Sequence, residues 1–204
     1  MNKIQVPEMP ELEFDDQKHI YRLNGVVLPS VSTIIEPLTA IKYQGINSNT
    51  LDNAARKGTA IHNSIENFIK FGFEDVAPEY RTFFDAFLEW WNDKQPIVIA
   101  SELRIYHKLL RYGGTLDLLA IIDDKVTLVD YKTTYEVSDM TCGVQLEGYA
   151  QALLSHGIKV EEKQILHLKK DAKHKVHKYP GADANRWRVF GSLKNVYDYI
   201  QSSR

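Results

Sequence analysis

The sequence predicts a single α/β domain: a mixed central β-sheet, made of an antiparallel meander plus one parallel strand, flanked by α-helices. Three observations predict this. Three β-rich runs follow one another across residues 97–132 with short turns between them, which is the pattern of a meander. Helical spacing over residues 144–156 is followed by another β-rich run, and a crossover helix allows that run to add parallel to the sheet. Helical spacing also dominates the segments before the meander and the end of the chain.

The elements follow in order. Residues 1–16 are acidic and proline-bearing and read as a loosely ordered arm. Residues 17–36 contain HIYRLNGVVLPSVSTII, two β-rich runs around Asn24-Gly25, the strongest short hairpin signal. Its end, from Ser30 to Glu36, alternatively begins a helix with Ser32 as N-cap. Ala54, Ala55, Ile61, Ile65, Phe68 and Ile69 recur at helical spacing, with Gly58-Thr59 as an interruption between a short helix and a main one. A second helix spans residues 77–93, and Pro96 bars helix from continuing at once.

Strands are expected at 97–106, 109–120 and 126–132, with Asp123-Asp124-Lys125 as the last turn. The helix over 144–156 has Gly157 as its C-cap. A strand at 162–169 and a closing helix at 187–202 complete the chain, although RWRVF also suits a strand start. The basic run KKDAKHKVHK, from Lys169 to Lys178, reads as a solvated loop or strand edge that is also able to grip phosphates.

Composition narrows the class. With 204 residues, 44% hydrophobic and 25% charged, the chain has enough material for one real core. A net charge of −2 gives no global basic field, so any polyanion must be held by a local patch. The single cysteine, Cys142, excludes an internal disulfide and a cysteine-ligated zinc or iron–sulfur site. No stretch approaches the ~20 apolar residues of a membrane span. The start lacks the apolar core of a signal peptide. The expectation is a cytoplasmic protein of a bacterial or phage-infected cell, without a membrane partner.

The stretch GGTLDLLAIIDDKVTLVDYKTT carries the chemistry. Its two strands are paired neighbours, so Asp117 and Asp130 converge, and period-2 alternation puts Lys132 on the face of Asp130. Two acids and a lysine at a sheet edge suit a divalent metal with a water activator. Taken alone, they suit equally a solvated strand end with its surface partner. Other pairs stand near in sequence. His62 and Glu66 share a helical face, Glu102 alternates with Arg104 in the preceding strand, and Gln145 and Tyr149 share a face of the next helix.

In chain order these read Gly58-Thr59-x-x-His62, Glu102, Gly114-x-x-Asp117, Asp130-x-Lys132 and Gln145-x-x-x-Tyr149. The series resembles the PD-(D/E)XK nuclease superfamily, and within it the RecB-like exonuclease branch. HIYRLNGVVLPSVSTII followed by AARKGTAIHNSIE is similar to the amino-terminal part of small phage and mitochondrial genome maintenance exonucleases. The resemblance covers residues 21–149. It implies a restriction-endonuclease-like core and a Mg²⁺- or Mn²⁺-dependent deoxyribonuclease that degrades DNA from its ends in recombination, repair or replication. It also implies an annealing or helicase partner in trans, since no P-loop is present. A homo-oligomer is a further implication.

The resemblance assigns roles. His62, Asp117, Asp130 and the backbone carbonyl of Tyr131 hold the metal, and Lys132 orients the attacking water. Glu102 and Glu66 are alternatives for a supporting acid. Gln145, Tyr149, Thr133, Lys169 and Lys170 contact the substrate strand. A nicking or structure-selective endonuclease would use the same chemistry. A non-catalytic nucleic-acid-binding module is the alternative of another class, which intact Asp117, Asp130 and Lys132 oppose.

Overall fold

The computed structural model describes residues 4–203. Strands β1 (Leu12–Asp15), β2 (Ile20–Leu23) and β3 (Val26–Leu28) form a small antiparallel sheet. The β2–β3 turn follows the expectation. Asn24 and Gly25 have φ of 51° and 77°, the left-handed pair that a two-residue type I′ hairpin needs. The loose arm at residues 1–16 requires correction. Residues 1–3 lie outside the described residues, but Leu12–Asp15 is a paired strand. Leu12 and Phe14 pack on the buried Tyr21 and Leu23, and Ile4, Val6 and Met9 pack on the main core. Apolar burial holds this segment down despite its charge.

Helix α1 (Val31–Ile34) starts two residues earlier than a Ser32 cap would allow. Ser30 is the N-cap, its hydroxyl accepting the Thr33 N–H at 3.0 Å, because this phase buries Val31 and Ile34. Helix α2 (Glu36–Lys42), unforeseen in the sequence, follows directly, with proline in its first turn. Helix α3 (Ser48–Phe71) runs unbroken through Gly58-Thr59. One glycine costs a helix only about 1 kcal/mol, and burial of Ile61 and Ile65 outweighs it. A 3₁₀ turn at Pro78–Tyr80 leads into α4 (Arg81–Lys94), whose Phe84, Phe87 and Trp90 are fully buried.

The main sheet has the order β4 (Ile97–Tyr106), β5 (Gly113–Ile122), β6 (Lys125–Lys132), β7 (Glu162–Leu168), β8 (His174–Pro180). All neighbours are antiparallel except β6 and β7, which are parallel and joined through α5 (Asp139–Ser155). Strand β5 begins four residues later than expected. The intervening residues form a turn in which His107 Nδ1 accepts the N–H groups of Leu109 and Leu110, each at 3.2 Å. The second half of the basic run lies in the edge strand β8, whose exposed lysines protect it from further pairing. Gly157 takes φ of 84° just past α5, and α6 (Ala184–Ser202) closes the fold.

Two cores result, one on each face of the sheet. Leu118, Ala120, Val129, Tyr131 and Leu166 pack under α3 and α4. Leu119, Leu128 and Ile165 pack under α1, α5 and α6. Strand alternation splits neighbours such as Leu128 and Val129 between the layers. It leaves Asp130 and Lys132 on the side of Leu128.

Candidate active site

The site lies where the β5–β6 ladder stops. The last pair is Leu118↔Val129, and one residue further the Asp117 carboxylate takes over, its Oδ2 accepting the Tyr131 N–H at 2.6 Å. On the other side of β5, the pairs Ser101↔Leu118 and Leu103↔Leu116 put Glu102 opposite Asp117. Glu102 has φ of 48°. A left-handed non-glycine residue costs on the order of 1–3 kcal/mol, and such strain gathers at functional sites.

Helix α3 delivers the third group. His62 Nδ1 lies 3.4 Å from Asp117 Oδ1, and its ring stands edge-on to Tyr131 at 5.5 Å between centroids. His62, Glu102 and Asp117 each offer one ligand atom within 4.8 Å of the others. An imidazole and two carboxylates are a donor set for a divalent cation. Beside them, Lys132 Nζ is ion-paired at 2.5 Å with the buried Asp130 Oδ2.

The electrostatics follow from burial and crowding. Burial by itself would lower the His62 pKa, but the adjacent Asp117 and then Asp130 raise it to about 9. Burial, then Asp117, pushes Glu102 up to about 8 against the pull of His62. Burial also works against ionised Asp117, yet His62, Lys132 and the Tyr131 N–H together bring its carboxyl below the ordinary range. Burial and Asp117 hold Asp130 above its ordinary range in spite of Lys132. Lys132 is held firmly protonated: Asp130 outweighs the burial that opposes its charge.

Most of the expected residues fall around three depressions, while the buried Asp130 and Tyr131 line none of the three. His62, Glu66, Glu102, Asp117 and Tyr149 line a cleft of about 830 Å³, with the N-terminal sheet as its far wall. Lys132 and Gln145 line a second pocket, and Thr133, Lys169 and Lys170 a third. Gln145 Nε2 donates to the Tyr149 hydroxyl at 3.4 Å, which ties the first two together. Glu66 is ion-paired to Lys70, while its charge helps raise Glu102. Glu102, not Glu66, joins His62 and Asp117 in the ligand cluster.

Sequence reasoning missed several lining residues. Phe14, His19 and Arg104 line the large cleft, and Lys57 the third pocket. Lys57 stands directly before Gly58-Thr59, and that adjacency was the available signal. The residues from the N-terminal sheet gave none, because their position depends on how that sheet docks.

A sequence profile of the PD-(D/E)XK nuclease superfamily matches residues 78–198, more than half of the chain. The protein belongs to that superfamily. The solved structure of SSO0001 superposes with a TM-score of 0.50 at 13% identity, over 86% of this chain and 77% of that one. The five-stranded mixed sheet with flanking helices is thus the restriction-endonuclease-like fold expected. LHK-Exo of Laribacter hongkongensis in complex with dAMP aligns at 10% identity, over 86% and 88% of the two chains, with a TM-score of 0.45. A phage-related exonuclease of Haemophilus somnus 129PT aligns at 11% identity, over 86% and 96%, with a TM-score of 0.40. No curated protein matches the chain. No helix among the described residues is long and apolar enough to cross a membrane.

Proposed function

We propose that the protein is a metal-dependent deoxyribonuclease acting as an exonuclease on DNA ends. One observation carries the reading: the His62, Glu102 and Asp117 ligand atoms cluster within 4.8 Å, and Asp117 belongs to the same two-strand unit that presents the Asp130–Lys132 pair. His62, Asp117, Asp130 and the Tyr131 carbonyl would hold the ion, with Glu102 as the supporting acid. Bound Mg²⁺ or Mn²⁺ would neutralise the phosphate and stabilise the leaving oxygen. The imidazole ligand favours Mn²⁺.

Lys132 remains an ammonium at neutral pH, so it orients the attacking water and offsets charge on the phosphorane-like transition state; it does not remove the proton. Gln145 and Tyr149 brace the lysine side of the site and meet the strand. Thr133, Lys169 and Lys170 grip it further along. The proposed setting is phage or host DNA recombination, repair or replication in the cytoplasm. An annealing or helicase partner would act in trans, and a homo-oligomer is compatible with the reading.

The test is degradation of end-labelled DNA with Mg²⁺ or Mn²⁺ by the wild type, Asp130→Ala and Lys132→Ala. Loss of cleavage in both variants is expected, and equal activity in all three proteins would remove the assignment. Circular single strands and closed plasmid should survive. Their cleavage would make the enzyme an endonuclease.

A further inference from the structure

Beyond the acidic cleft, the third pocket brings Lys57 and Tyr135, which have no role in the proposed hydrolysis, beside Lys169 and Lys170. It has a volume of about 390 Å³, and Lys57, Thr133, Tyr135, Lys169 and Lys170 line it together with the acid Asp171, whose Oδ1 accepts the Lys173 N–H at 3.3 Å. Lys57, from α3, donates an Nζ hydrogen to the Thr133 carbonyl at 2.8 Å and lies 4.7 Å from the centre of the Phe83 ring. An ammonium has three donors, so further ones remain for a ligand. Among the described residues, neither Lys57, Lys169 nor Lys170 has a carboxylate within ion-pair distance. Burial and the nearby Lys170 depress the Lys57 pKa, as expected for a cation facing another without an intervening anion. Tyr135, three residues past Lys132, is fully exposed at 102%. An aromatic side chain this bare has a free face to offer.

We propose that Lys57 and Lys170 form a phosphate-binding subsite for the substrate strand, next to Lys132 but apart from the metal ligands, with Tyr135 as the stacking surface for the adjoining base. The subsite rests on the nuclease reading for its substrate class and names a positioning role no motif residue fills. Thr133 follows Lys132 directly, which puts the subsite one residue along the chain from the catalytic lysine. Lysine suits it as a point charge for phosphate, and base stacking on tyrosine tolerates any sequence. The phosphate is either an internal diester or a terminal monoester of the strand.

The experiment is fluorescence anisotropy with a short fluorescein-labelled single-stranded oligonucleotide in EDTA, with and without a terminal phosphate, across a salt series. Lys57→Gln and Lys170→Gln should each weaken binding and reduce the slope of log affinity against log salt by roughly 0.7, one phosphate contact on a single strand. Lys57→Arg should retain most affinity. Tyr135→Ala should lose roughly fivefold or more and Tyr135→Phe little. A loss confined to the phosphorylated oligonucleotide identifies the monoester, and equal losses identify the diester. Lys170 is exposed, which makes its variant a control against local misfolding at Lys57. Unchanged affinity and slope in both glutamine variants would overturn the subsite, even if the wild type cleaves DNA. Wild type that binds through these lysines yet never cleaves would overturn the nuclease reading alone. Wild type that fails to bind would overturn the subsite.

Discussion

The Tyr149 ring lies so close over Gly114 that a Cβ added at Gly114 would meet Tyr149 Cε1 at 2.6 Å. Helix α5 thereby rests its tyrosine on β5, three residues before Asp117. Gly114→Ala must displace the ring or the strand, at a cost of typically 1–3 kcal/mol for overpacking. Urea denaturation should show that loss, and cleavage should fall more than in Tyr149→Phe, which keeps the ring. A Gly114→Ala protein as stable and active as wild type would refute this contact.

His62 reaches the acids from outside the sheet, so its removal separates metal binding from folding. His62→Ala should weaken Mn²⁺ binding by an order of magnitude or more, within the roughly 10–100-fold range for altered metal surroundings. The variant should still fold cooperatively, although loss of the ion pair with Asp117 lowers its melting temperature. Calorimetry giving the wild-type Mn²⁺ affinity would return His62 to the helix surface.

A second buried charge pair lies away from the site. Glu147 on α5 and Lys163 on β7 are ion-paired with side-chain exposures of 0% and 1%. Gln151 also donates to Glu147, at 2.8 Å. Lys163→Met leaves an uncompensated buried carboxylate and should cost roughly 3–5 kcal/mol, whereas adding Glu147→Leu should recover much of it. Chemical denaturation of the single and double variants measures both. A single variant as stable as the double would show that the pair is not coupled.

The N-terminal sheet is tied to β4 by one hydrogen bond, from the Tyr106 hydroxyl to Glu11 Oε1 at 2.6 Å. That bond lowers the Glu11 pKa and raises that of Tyr106 to about 12. Since the folded Glu11 value is depressed, its contribution is present above the ordinary carboxylate range and is lost as pH falls through the folded value. Since the folded Tyr106 value is raised, its contribution is present below pH 10.0 and is lost as pH rises towards about 12. The wild-type minus Tyr106→Phe difference in stability should therefore shrink at both ends of the pH scale. A flat difference would mean that the bond is absent in solution.

Much of this was legible in the chain, for identifiable reasons. Alternation and turn residues located β4, β6 and β7, and the Asp123-Asp124 turn shows φ of 50° and 63°. The ordered motif residues named His62, Glu102 and Asp117, which the fold brings together, but with Asp130 as a ligand and Glu102 as a supporting acid, whereas the cluster contains Glu102 and leaves Asp130 outside. Residues 4–16 were misjudged since their order comes from tertiary packing, which charge and proline content do not report. Strand β8 was obscured by its lysines, which suit an edge as well as a loop. Lys57 and Tyr135 gave no periodic signal at all. Only the meeting of α3 with the segment after β6 makes them neighbours.

Asp117 and Asp130 belong to one hairpin, whereas His62 and Tyr149 come from helices on opposite sides of it in sequence. Hairpins close within microseconds, while contacts of long sequence separation wait for loop entropy to be overcome. The acids should therefore find each other early during synthesis or refolding, and the imidazole and the tyrosine should join last. On dilution from urea, recovery of DNA cleavage should lag recovery of the far-ultraviolet helical signal, and simultaneous recovery would contradict this order. Chains made just past the hairpin would then carry paired acids but no complete cutting site, so the order of assembly itself keeps a nuclease silent until its fold is finished.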